Sequence, residues 1–164
     1  MEQNSTENQA TTVITSADLL KHWQGHRSLT RRVIEAFPEK EFFEYSIGNM
    51  RTFAAMTQEL LAIAVPGLRQ IANGSAEELN EHLDQATSKA AILNLWDEAT
   101  EKINQLWAQI PDEKFRERIV TFGKYEGTVW SSIFYFIDNE IHHRAQAYVY
   151  LRSLGIEPPY FWER

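Results

Sequence analysis

The sequence predicts an all-α protein, a left-twisted four-helix bundle, on three observations. Four long segments each carry a single apolar stripe at three- and four-residue spacing. Gly or Pro punctuation closes each of them. No convincing pair of alternating strands interrupts them. A chain of 164 residues has room for one complete core and not two. A single domain is therefore expected over residues 15–164. It follows a loose tail over residues 1–14, rich in Glu, Gln, Asn, Ser and Thr.

The first helix is expected over about 16–37. Thr15-Ser-Ala-Asp18 resembles a capping box, and Pro38 stops the helix. Its stripe is Leu19, Trp23, His26, Thr30, Val33, Ile34 and Phe37, with two polar residues in the middle. A loop from Pro38 to Gly48 carries Phe42, Phe43 and Tyr45. The second helix is expected over 49–72, with Asn73-Gly74 as its stop and Pro66 kinking or splitting it. Ser75-Ala-Glu-Glu78 reads as another capping box, opening a short helix through Leu83. The third helix, over 88–110, has the cleanest stripe: Ile92, Leu95, Trp96, Ala99, Ile103, Leu106, Trp107 and Ile110. Residues 112–127 form a polar connection in which Arg118 to Tyr125 has some strand-like alternation. The fourth helix is expected over 128–154, with Gly155 as its cap and Pro158-Pro159 beyond.

Composition excludes several function classes. Apolar residues make up 43%, charged residues 24% and aromatics 12%, which are ordinary globular proportions. No apolar run approaches the roughly 18–20 residues that cross a bilayer, so no membrane partner is expected. The formal charge of −7, without any Lys/Arg block, argues against nucleic acid as a partner. The chain has no cysteine, which removes disulfides, thiolate nucleophiles and Cys-ligated metals. Met1 to Thr12 contains no apolar signal region, and the cytoplasm is the expected compartment. Five Trp, six Tyr and nine Phe are more aromatic surface than one bundle interior readily hides, so a homodimer is expected.

The densest functional stretch is Asp138-Asn-Glu-Ile-His-His-Arg-Ala-Gln146. Asn139 and His143 are four residues apart and share one helical face, with Phe136, Gln146 and Tyr150 nearby. Pairs at this spacing suit helical metal sites. His142 points elsewhere, toward Asp138 or a dimer partner. Arg144 is expected to anchor the helix to an acid such as Glu140. On the second helix Glu59 borders the apolar stripe between Met56 and Ile63, where it can approach Asn139 and His143 if the two helices are neighbours. His26 points inward from the first helix. A single inward histidine is more often a hydrogen-bonded core residue than a ligand, and a marginal carboxylate is more often solvated. Both readings stand for His26 and Glu59.

The run from Asp138 through Gln146 to Leu151-Arg-Ser-Leu-Gly155 resembles the last helix of the DinB (DNA-damage-inducible) family, which typically reads His-Glu-x-His-His-Arg-Gly-Gln. Met50-Arg-Thr-Phe53 resembles the family's Met-Arg-Ser-Phe segment. The resemblance covers about Ala17 to Pro159. It implies an up-down-down-up four-helix bundle, often homodimeric, with a divalent metal, commonly nickel or zinc, held by three histidines. It places Glu59, Asn139 and His143 at those three ligand positions, so two of the three histidines are replaced. Relatives include transferases that use a low-molecular-weight thiol as cofactor. The family name reflects inducibility and does not imply DNA binding.

Two readings follow. One is a metal-dependent protein of stress or detoxification type, a thiol-dependent transferase or hydrolase, with Zn or Ni at a degenerate site of Glu59, Asn139 and His143. His26, Gln146 and Tyr150 would line the pocket. The other is a non-catalytic, dimeric ligand-binding module without metal. Asn139 favours the second, because an amide offers one weak neutral oxygen to a transition metal.

Overall fold

Thr15 opens the first helix, α1 (Ser16–Ala36), with a reciprocal cap. Its hydroxyl accepts from the Asp18 N–H, and the Asp18 carboxylate accepts from the Thr15 N–H. The protein is seen here as a computed structural model describing residues 13–164. The expected tail, up to residue 12, lies outside the described residues.

The segment expected as a loop after Pro38 contains a short helix, α2 (Glu39–Glu44). Glu39 and Glu41 sit in its first turn, where acids complement the helix dipole. Phe42 is fully buried, edge-on to Phe37 and Phe53. The next helix, α3 (Phe53–Asn73), starts four residues later than expected. Thr52 caps it, accepting from the Ala55 N–H at 3.3 Å. Asn49, Met50 and Arg51 therefore lie ahead of the helix. Pro66 does not split α3, which runs on to a left-handed Gly74.

No helix forms over Ser75–Leu83, contrary to expectation. Ser75 bonds to Glu77, one residue earlier than a capping box needs, and Arg69 binds the same carboxylate. A helix of two turns does not by itself recover its nucleation cost. Ser88 caps α4 (Lys89–Trp107), which stops three residues short of Ile110. After a 3-10 turn at Asp112–Arg116, the polar connection forms a hairpin of β1 (Arg118–Thr121) and β2 (Tyr125–Thr128). The strands are antiparallel and pair Arg118 with Thr128 and Thr121 with Tyr125. The expected extended fragment is thus β1 and its turn, and the partner strand went unanticipated. Helix α5 (Val129–Ser153) follows directly, capped by Thr128 with Ser131. Among the described residues no helix is long and apolar enough to cross a membrane.

Helices α1 and α3 each pack against both α4 and α5. The apolar stripes meet in two clusters. One gathers Leu19 and Trp23 of α1, Ile63 to Ile71 of α3, Ile103 and Leu106 of α4 and Val129 to Ile137 of α5. The other gathers Val33 and Ile34 of α1 with Phe37 just after it, Phe53 to Leu61 of α3, Ile92 and Trp96 of α4 and Ala147 to Leu151 of α5. Along α1 and α5, buried polar residues separate the clusters: His26, Arg27 and Thr30 on one helix, Glu140, His143 and Arg144 on the other. The polar interruption of the first stripe is therefore one side of a buried polar layer.

Gly67 sets the approach of α3 to α5. A Cβ there would stand 2.5 Å from Cζ of Phe136 and 2.9 Å from Cε2, and Phe136 is itself buried. Overpacking costs about 1–3 kcal/mol, against a gain of about 1 kcal/mol in helix propensity. Gly67→Ala is therefore expected to lower the urea midpoint. A raised midpoint would show that the ring can move aside.

Candidate functional site

The polar layer has two halves. In the first, Glu140 of α5 is 2% exposed. It accepts from the Thr30 hydroxyl at 2.6 Å and from Trp23 Nε1 at 3.2 Å. Arg27 and Arg144 stand 3.9 and 3.8 Å from its oxygens, so the anchoring of Arg144 to Glu140 is observed. Burial pushes the Glu140 carboxyl above its ordinary range, while Arg27, the Thr30 hydroxyl and Arg144 pull the other way. Arg27 is lowered by burial to about 10. Its guanidinium lies 4.0 Å over the Trp96 ring and donates to Thr100 Oγ1 and the Trp96 carbonyl.

His26 belongs to this half. Arg144 donates to its Nδ1 at 2.8 Å, and its Nε2 lies 3.1 Å from His22 and 3.0 Å from Arg164. None of these partners is shared with Glu59, Asn139 or His143. Burial first, then Arg144, His22 and Arg164, lower His26 to about 3, so it is neutral near pH 7. The unfolded chain takes up this proton first as pH falls below 6.5, and the stability contributed by neutral His26 is lost between there and about 3. In urea titrations, His26→Gln is expected to flatten the decline of stability between pH 6.5 and 4. An unchanged slope would count against this environment.

The second half lies between α3 and α5. Asn139 Nδ2 donates to Glu59 Oε1 at 3.0 Å, and His143 Nε2 stands 3.3 Å from the same oxygen. The three residues singled out from the sequence are thus together. A fourth joins them: the Arg51 guanidinium binds Glu59 Oε2 and lies 3.4 Å from His143 Nε2. Its other nitrogen is 3.3 Å from Glu81. His143, then Asn139 and Arg51, hold the Glu59 carboxyl down at about 2, against the opposing effect of burial. Stability from this ionised group is present above its unfolded value of 4.5 and is lost as pH falls toward 2.

Gln146 and Tyr150 support this half through hydrogen bonds. Gln146 Oε1 is 3.1 Å from His143 Nδ1, and its amide nitrogen is 3.2 Å from His142. His142 is exposed and bonds to Gln146, one turn along, and not to Asp138. The Tyr150 hydroxyl donates to the Arg51 carbonyl at 2.8 Å and so fixes the backbone from which the guanidinium reaches.

A cavity of about 320 Å³ opens beside Glu59. Ile63 with Glu59 on α3, Ser132, Tyr135 and Phe136 on α5, and Phe122 and Tyr125 of the hairpin line it. Gln70 of α3 latches the hairpin down, accepting from the Phe122 N–H and donating to the Val120 carbonyl, both at 2.9 Å. Phe122 holds a left-handed φ of 51°, an unusual conformation for a bulky residue, and its buried ring forms part of the wall.

The family model for the DinB family matches residues 1–163. The chain belongs to the DinB family. Among solved structures, this DinB-family fold is similar to a DinB-like protein from Bacillus cereus ATCC 10987. The TM-score is 0.72 at 14% identity, over 89% of this chain and 97% of that one. It is also similar to a DinB-like protein from Bacillus subtilis, with a TM-score of 0.70 at 19% identity, over 89% of this chain and 99% of that one. At these identities the likeness is one of fold. No curated protein matches the sequence.

The donor set of this DinB-family chain does not fit the divalent metal that the family resemblance implies. Glu59 and His143 are its two strong donors, and Asn139 presents its amide nitrogen to Glu59. Among the described residues no group of three or more His, Asp or Glu side chains is placed to hold a metal ion. A guanidinium already bears on both strong donors.

Proposed function

We propose that this DinB-family chain is a non-catalytic ligand-binding module that works without a resident divalent metal. In this reading residues 15–164 form one four-helix-bundle domain in up-down-down-up order. Supporting that order, α1 and α5 run from the Trp23 cluster toward the Trp96 cluster, and α3 and α4 run the other way. The observation that carries the functional reading is Arg51. Its fixed positive charge lies against Glu59 and His143, where a divalent cation would have to bind, and it would repel that cation at close range. What remains is a cavity with a polar inner end, the ordinary form of a small-molecule site.

The domain is proposed to pair with a second copy. Val149 on α5 and Tyr160, Phe161 and Trp162 beyond it are each at least half exposed, which supports an apolar contact surface.

The second reading keeps a metal at Glu59, Asn139 and His143. There Zn or Ni would lower the pKa of a water or of a low-molecular-weight thiol. The convergence of these three side chains favours it. Elemental analysis of protein purified without a histidine tag, followed by zinc titration and sedimentation, separates the readings. The expected result is a dimer with no stoichiometric metal and no tight zinc uptake. Stoichiometric Zn or Ni would overturn the metal-free reading, and monomer alone at micromolar concentration would overturn the pairing.

A further inference from the structure

We propose that the cavity beside Glu59 takes an organic cation, an ammonium group carried on an apolar body. The proposal rests on the metal-free reading of the same site and names its ligand class. Among the described residues three carboxylates line the cavity, Glu59, Glu81 and Glu126, and no Lys or Arg side chain does. Between them stand the rings of Phe122, Tyr125 and Tyr135. Aromatic faces combined with carboxylates in a largely apolar hollow are the chemistry that recognises ammonium ions, by cation–π attraction and direct charge pairing.

The charges that now neutralise these acids come from arginines outside the wall. Arg51 serves both Glu59 and Glu81, and Arg118 serves Glu126. Both arginine side chains are substantially exposed, at 45% and 70%. With the arginine end of each pair in water its hold is screened, so a bound ammonium can take over the Glu59 carboxylate while the Arg51 side chain swings into water. Glu59 cannot follow it: its side chain is 11% exposed and stays bonded to Asn139. The negative character of the cavity also reaches Tyr135, whose hydroxyl is pushed up by burial first and then by Glu59, Tyr125 and Glu81. An anionic ligand would meet this same field and be repelled. Arg51 thus acts as an internal competitor, pairing from outside the wall with the Glu59 and Glu81 carboxylates that a bound cation would use.

The test titrates benzyltrimethylammonium into the full untagged chain by calorimetry in buffer containing EDTA. The neutral 2-methyl-1-phenyl-2-propanol and the anion phenylacetate serve as near-matched controls. The expected result is one saturable site for the cation, bound at least roughly fivefold more tightly than either control. Arg51→Gln is expected to tighten cation binding about fivefold or more by removing the competitor. Glu59→Gln should weaken it by a similar factor. Tyr135→Leu, at a residue 54% exposed whose loss leaves the core intact, should weaken it about threefold or more. Circular dichroism checks that Glu59→Gln is folded; the Tyr135 variant decides the matter if it is not. Controls that bind as tightly as the cation, loss of cation binding in Arg51→Gln, or no cation binding to any form would overturn the proposal. Zinc titration is run separately. Failure of the cation with no zinc uptake discards the ligand class and leaves the metal-free reading standing. Tight zinc uptake discards that reading, while the EDTA-buffered titration still decides whether the cavity takes cations.

Discussion

Glu140→Leu is expected to cost about 3–5 kcal/mol, the range for removing one partner of a buried ion pair. Domain stabilities are typically about 5–15 kcal/mol, so this variant should sit near the edge of folding. The reason is the company that Glu140 keeps. Arg27 is 1% exposed and Arg144 5%, and each has the Glu140 carboxylate as its nearest acid within 4 Å. Without it two guanidiniums stay in the interior with no acid within 4 Å among the described residues, and Trp23 Nε1 and the Thr30 hydroxyl lose their acceptor. Arg27 already has one buried nitrogen, NH1, without a hydrogen-bond partner, so it has no spare acceptor to turn to. Leu fills the volume, which separates the electrostatic loss from a cavity effect. Adding Arg27→Met to Glu140→Leu should recover part of the loss, because it removes one of the stranded charges. Urea denaturation of the single and double variants measures both effects. A Glu140→Leu midpoint close to wild type would mean that the layer is solvated or rearranges freely.

Much of this architecture was legible in the sequence because the long helices announce themselves twice, by stripe and by punctuation. Thr15, Ser88 and Gly74 each mark a boundary that the structure keeps to within a residue or so. The hairpin was harder to see. Its strands are four residues each, too short for alternation to stand out, and it is held as much by the Gln70 side chain as by its own register. The phantom helix after Ser75 shows the reverse error: the right residue types lay at the right spacing, but Ser75 bonds to Glu77, which Arg69 also holds, and not to Glu78.

The site was half legible for a related reason. Spacing on α5 fixes Asn139 and His143 on one face, and the stripe margin on α3 brings Glu59 to meet them. His26 was misdirected because a stripe gives inward direction but not which neighbour is met, and Arg144 claims it. Arg51 was missed as a site residue because the second helix was begun too early. Read as part of that helix, Arg51 would point along its own turn. Placed just ahead of the Thr52 cap, it can reach along the helix to a residue eight positions on. Thr52 followed by an apolar run was the available signal for the true start.

The cluster around Arg51 also dictates how a metal site could be restored. Asn139→His alone supplies the third strong donor, and the same helical face would carry imidazoles at positions 139 and 143. Yet the Arg51 guanidinium would still lie on Glu59 and His143, and zinc would have to displace it. The single variant is therefore expected to gain zinc affinity over wild type, and Asn139→His with Arg51→Gln to gain considerably more, by orders of magnitude over wild type in all. Arg51→Gln alone leaves two strong donors and an amide, and should gain little. If the third donor and the removal of Arg51 act on one ion, the double variant will exceed the sum of the two single changes in free energy, since each change is worth more once the other is made. Competition titration against a chromophoric zinc chelator at pH 7.5 measures all four proteins on one scale. Ligand distances near 2.0–2.2 Å to imidazole nitrogen and carboxylate oxygen, by X-ray absorption, would confirm that the ion sits in the intended place. Equal zinc affinity in wild type and the double variant would mean either that the ion binds elsewhere or that another group completes the site, and it would remove Arg51 as the proposed obstacle to metal at this cluster.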